Sequence, residues 1–158
     1  MEKEYSRAVR EEFDAQLRIR LPQFVYVRGQ KGLGAGARVY RHESSAGAFR
    51  FVILIISSTQ DEFTVEVANA PNEEVPDFEP FFDPTASGNG DTVRFRLSRF
   101  WHRQDPWWVI FPAKSTKEFI ALLRDEPPVE QGLLRIPSLV QDAVDKLEQY
   151  AVPFWDEQ

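Results

Sequence analysis

Tyr5, Val9, Phe13 and Leu17 recur every four residues, with Arg7, Arg10, Glu11, Asp14 and Arg18 between them. This spacing predicts an amphipathic helix over residues 2–20. Pro22 ends it, because the residue before a proline is pushed out of the α region. Residues 23–28 (QFVYVR) are β-branched and aromatic, and residues 38–42 follow after a glycine-rich loop; both predict strands. Residues 48–57 (AFRFVILIIS) are apolar without alternation after Phe51, which predicts a strand covered on both faces at the sheet centre. Residues 62–68 alternate, with Phe63, Val65 and Val67 on one side and Glu62, Thr64 and Glu66 on the other. Residues 91–100 alternate again, and residues 107–111 predict a short extended segment.

The rest of the pattern is helical. Ser115 and Glu118 form a capping box ahead of Phe119, Ile120, Leu122 and Leu123, and Pro127-Pro128 stops that helix. Ser138 and Gln141 form a second box, followed by a stripe of Leu139, Val140, Ala143, Val144, Leu147 and Ala151 that Pro153 ends. Strands gathered between helices predict an α+β fold: an N-terminal helix, a largely antiparallel sheet of about five to six strands, and two C-terminal helices. Residues 1–158 read as a single domain, since domains typically hold ~100–150 residues.

Composition narrows the chemistry. The 158 residues contain no cysteine, which excludes disulfides, a thiol nucleophile and cysteine metal sites. The longest apolar run, residues 51–56, is too short to cross a bilayer. Residues 1–13 are charged, without the apolar core of a secretory signal. These features predict a cytoplasmic protein that does not enter membranes.

Charge divides the chain unevenly. Residues 1–50 carry net +4, residues 51–93 carry nine acids and no Lys or Arg, and residues 94–158 carry net −1, for a total of −6. A purely anionic third argues against nucleic acid and favours a basic protein partner. Within it lies a proline-rich excursion with Glu73, Glu74, Asp77, Phe78, Glu79, Phe81, Phe82 and Asp83. Acids interleaved with aromatics compose an interaction surface, with the rings as anchors.

Three other constellations bear on chemistry. Residues 32–37 (GLGAGA) fit the glycine pattern of a pyrophosphate cradle, with Lys31 and Arg38 nearby. A cradle needs a helix to follow, and residues 38–41 alternate as a strand, so a hairpin loop is the simpler expectation. Arg94, Arg96 and Arg99, with His102 and Asp105, form an alternative site for a small enzyme or ligand-binding domain. Were their strand beside the Glu62–Glu66 strand, cross-strand ion pairs would follow instead. Neither histidine sits in a metal-ligand spacing, and the acids of residues 77–83 lack the calcium-loop pattern. No cofactor is expected.

Some stretches carry a resemblance. Residues 36–41 (GARVYR), the strands at 49–57 and 63–69, Asp105-Pro106-Trp107-Trp108 and the ending YAVPFWD together resemble a family of uncharacterised bacterial single-domain proteins bearing a domain of unknown function. The resemblance spans most of the chain and is loosely similar, in size and form, to immunity proteins that neutralise toxins. It implies a fold and supplies no catalytic residue. The combined expectation is a non-catalytic binding protein, an immunity-type inhibitor in its specific form, whose acidic aromatic loop contacts a basic partner.

Overall fold

The structure is a computed structural model. It describes residues 1, 3–28, 30, 33–86, 91–101, 107–113, 115–125 and 127–157. The elements run α1 (Lys3–Arg20), β1 (Val25–Val27), β2 (Ala37–Glu43), β3 (Phe49–Ile56), β4 (Glu62–Ala70), β5 (Val93–Arg96), a 3-10 turn (Leu97–Phe100), β6 (Trp108–Val109), α2 (Thr116–Arg124), α3 (Val129–Lys146), a π-turn (Leu147–Ala151) and α4 (Val152–Asp156). This is an α+β fold with an antiparallel sheet in the order β1-β2-β3-β4-β5; β6 pairs with the first residues of β4.

β3 lies at the centre, as its unbroken apolar run predicts. Val52, Leu54 and Ile56 enter the main core, while Phe51 and Ile53 enter a smaller cluster on the opposite face. The main core is roofed by α1, through Tyr5, Val9, Phe13 and Leu17, and by α3, through Ile136, Val140, Ala143 and Val144. Arg20 of α1 clamps this roof by pairing with Asp145, at 2.5 Å, and with Glu148. Trp108 ties the sheet to α3: it stacks on Phe63 at 5.5 Å, and its indole N–H donates to Asp142 at 2.9 Å. Loops cover the second face, where Leu33 and Val75 pack on the cluster of Val39, Phe51, Ile53, Ala68 and Ala70.

Ser115 caps α2 as predicted, its hydroxyl accepting from the Glu118 N–H at 3.2 Å. Three boundaries differ from the pattern. The alternation of residues 91–100 stops at Arg96, where the chain tightens into the 3-10 turn. α3 starts at Val129, nine residues before the predicted cap at Ser138, and runs through Pro137. An internal proline costs a helix ~3 kcal/mol. Packing overrides it: Pro137 is on the exposed side, Ile136 is buried, and Gly132 receives the Tyr5 ring so closely that a Cβ there would overlap it. The hydroxyl of Ser138 instead donates to the Arg135 carbonyl at 2.9 Å. Pro153 does not end the last helix either. The wider π-turn before it makes room for a ring that lacks an N–H, and α4 carries Phe154 and Trp155 back into the core.

Beneath α1, Tyr40 donates its phenol proton to Asp14, and Arg38 approaches the other carboxylate oxygen at 2.9 Å. Burial, and then this hydrogen bond, push the Tyr40 phenol above its ordinary value of 10.0. A raised folded-state value gives stability that is complete below pH ~10 and lost as pH rises beyond it. Urea midpoints are therefore expected to fall above pH 10, and Tyr40→Phe to flatten that fall. An equal alkaline slope in Tyr40→Phe would refute the linkage.

Candidate functional site

The acidic excursion leaves the end of β4 and folds back along the outer edge of β5. Four prolines keep it irregular, and local side chains shape its turns. The Asn72 carboxamide oxygen accepts from the Glu74 N–H at 3.0 Å, and the Asp83 carboxylate accepts from the Thr85 N–H at 3.0 Å. Arginines and the strand edge pin it down. The Glu79 N–H donates to the Arg94 carbonyl at 2.7 Å, Arg94 Nη1 to the Pro76 carbonyl at 3.2 Å, and Arg99 Nε to the Phe82 carbonyl at 3.1 Å.

The three phenylalanines of this loop take three different places. Phe82 belongs to the packed interior, 4.7 Å from the Phe95 ring and 6.5 Å from Phe154, so it drops out of the predicted anchors. Phe78 is half-buried beneath two guanidinium groups, Arg94 at 5.5 Å and Arg96 at 5.6 Å. Phe81 is 88% exposed. Phe81 and Phe82 separate at a turn: the Phe82 N–H donates to the Glu79 carbonyl at 3.3 Å, which leaves Phe81 on the outside of the turn while Phe82 packs on Phe95.

The carboxylates also separate. Glu73 pairs with Arg41 at 2.7 Å. Glu74, Asp77 and Glu79 line a groove of about 410 Å³ together with Asn72, Pro76 and Thr92. All three are exposed, and among the described residues none has a cationic partner. Asp83 sits beyond the groove, where it also accepts from the Thr85 hydroxyl at 2.7 Å.

The arginine stripe is engaged in structure. Arg94 Nε lies 2.8 Å from one oxygen of Glu66 and Arg96 Nε 3.9 Å from the other, the cross-strand pairing that neighbouring strands allow. Arg96 also lies over the Trp107 ring at 4.7 Å. Glu66 is 2% exposed, so this polar row is covered on the second face by Arg94, Arg96, Phe78 and Trp107. Arg99 holds the loop at Phe82. His102 and Asp105 lie outside the described residues. The alternative ligand site thus has Arg94 hydrogen-bonded to Glu66 and Arg96 in ionic contact with it, the buried Arg96 Nε–H being left without a hydrogen-bond acceptor.

The glycine-rich segment turns at Gly34, whose carbonyl accepts from the Ala37 N–H at 2.9 Å, and leads into β2. No helix follows to supply phosphate-binding N–H groups. Gly36 is required by a close crossing: a Cβ there would sit 2.5 Å from the Ile56 carbonyl oxygen. Gly32 and Lys31 lie outside the described residues. Among the described residues, no group of three or more His, Asp or Glu side chains is arranged to hold a metal, and no helix is long and apolar enough to cross a membrane.

No protein-family model matches the chain, and no curated protein or solved structure matches it significantly.

Proposed function

We propose that the chain is a binding protein that takes a basic segment of a partner protein into the groove of Glu74, Asp77 and Glu79, with Phe81 as the apolar anchor at its rim. The observation that carries this reading is a groove lined by three carboxylates that have no cationic partner among the described residues, followed two positions after Glu79 by a ring 88% exposed. Like charges held together repel, so an inserted Lys or Arg gains Coulomb energy while relieving that repulsion. The aromatic ring adds apolar area that a single charge contact lacks. The specific form of the proposal is an inhibitor that covers a cationic surface, as immunity-type proteins do. Catalysis is not part of it.

The test uses a variant with Glu73→Gln, Glu74→Gln, Asp77→Asn and Glu79→Gln. Its melting temperature is expected to stay near that of the parent, because these side chains are exposed. Association with a basic partner captured on the parent protein is expected to slow about tenfold at low salt, and the difference to shrink at high salt. Phe81→Ala is expected to act on dissociation instead. A partner held equally by the four-fold variant, at rates insensitive to salt, would overturn the proposal.

A further inference from the structure

The strands' other end carries a second groove of opposite sign. α1 places Lys3, Arg7 and Arg10 four and three residues apart, which puts them on one stripe of the helix. β1 pairs with β2 only from Val39 to Arg41, so Arg38 lies beyond that pairing and reaches towards α1. Between them opens a groove of about 690 Å³, lined by Lys3, Arg7, Arg10 and Arg38 with Glu4 and Glu11.

The cations here are largely uncompensated. Asp14 is spent on Arg38 and Tyr40. Among the described residues Lys3, Arg7 and Arg10 have no ion-pair partner. Arg38 is held in place from two sides, by Asp14 at 2.9 Å and by the Tyr26 ring 4.5 Å beneath its guanidinium carbon. The Nε–H groups of Arg10 and Arg38 are both buried without a protein acceptor. Buried donors in folded proteins nearly always have an acceptor, and of the five buried side-chain atoms left without one among the described residues, two lie in this groove. The positive end of the α1 dipole adds to the same field.

We infer that this groove binds the phosphoryl group of a small phosphorylated molecule, with Arg10 and Arg38 as its inner contacts and Lys3 and Arg7 at the mouth. A phosphoryl group presents several oxygens around one centre, which suits donors arriving from a helix and a strand at once. Guanidinium groups bind such oxygens in paired, charge-assisted hydrogen bonds. The size is that of a small-molecule site, ~300–1,000 Å³. Glu4 and Glu11 on the lining select against an extended polyanion, because a continuing phosphate backbone would run past them. This inference is independent of the acidic groove.

The experiment is calorimetric titration of the full chain with inorganic phosphate, pyrophosphate and ATP, and with a single-stranded 12-mer as the polyanion. Binding of pyrophosphate or ATP that weakens about tenfold in Arg10→Gln, and likewise in Arg7→Gln, supports the inference. Arg7 is exposed, so Arg7→Gln is expected to keep the parent melting temperature and to report binding alone. Glu11→Gln is expected to tighten binding. Absence of binding at millimolar ligand, equal affinity in parent and both arginine variants, or a 12-mer bound more tightly than pyrophosphate would each overturn it.

Discussion

Val144→Asp is expected to leave the domain unfolded at ordinary temperatures. Val144 is fully buried in α3 and belongs to the core cluster that also holds Phe13, Val140 and the apolar residues of β3 and β4. Among the described residues, the core holds no buried cation to pair with a carboxylate there. An unpaired buried charge costs several kcal/mol even after relaxation, against a typical total stability of ~5–15 kcal/mol. Leu147→Asp, at the start of the π-turn, meets the same fate, since Leu147 is fully buried too. Thermal melts followed by circular dichroism check both. A melting temperature equal to the parent's would refute the role of the C-terminal helix as roof of the core.

The second large effect is expected at Glu66→Ala. Glu66 is 2% exposed and is the shared anion for Arg94 and Arg96, whose side chains are 13% and 19% exposed. Removing it leaves two guanidinium groups, packed against the Phe78 and Trp107 rings, without their anion. Breaking a buried ion pair from one side costs about 3–5 kcal/mol. Arg94 also holds the Pro76 carbonyl, so the acidic loop is expected to loosen with it. Replacing the whole set, with Glu66→Met, Arg94→Leu and Arg96→Leu, is expected to recover most of the loss, because an all-apolar row leaves no charge unpaired. Urea midpoints of the two variants decide it. A Glu66→Ala protein within ~0.5 kcal/mol of the parent would show that the row is solvated after all.

The sequence made the regular elements legible and the irregular ones less so. The stripe of α1, the capping box of α2 and the two-sided burial of β3 were readable because each is a local pattern with one geometric solution. The start of α3 was not readable, because Pro137 and Ser138 both signal a helix boundary locally. What overrides them is a contact made 127 positions away, the seating of the Tyr5 ring on Gly132. The fate of Phe78, Phe81 and Phe82 was hidden for the same reason: it depends on which ring meets Phe95. The acidic groove was visible in composition, while the partnering of Glu73 by Arg41 was not. The cationic groove gave no linear signal. Arg7 and Arg10 read as part of the polar side of a helix, and only the fold brings Arg38 to them.

The clamp of Arg20 onto Asp145 and Glu148 joins positions 125 and 128 residues apart. On a translating ribosome, at ~5–20 residues per second, α3 trails α1 by roughly 6–25 s. The meander from β1 to β4 pairs only neighbouring segments, all of them synthesised before α3. A sheet that assembled before α3 was made would have only α1 to shelter its Val52, Leu54, Phe63 and Val65 face. Such a half-roofed sheet is a natural client for holding chaperones, and a pause in synthesis before α3 would lengthen its exposure more than a pause anywhere after it.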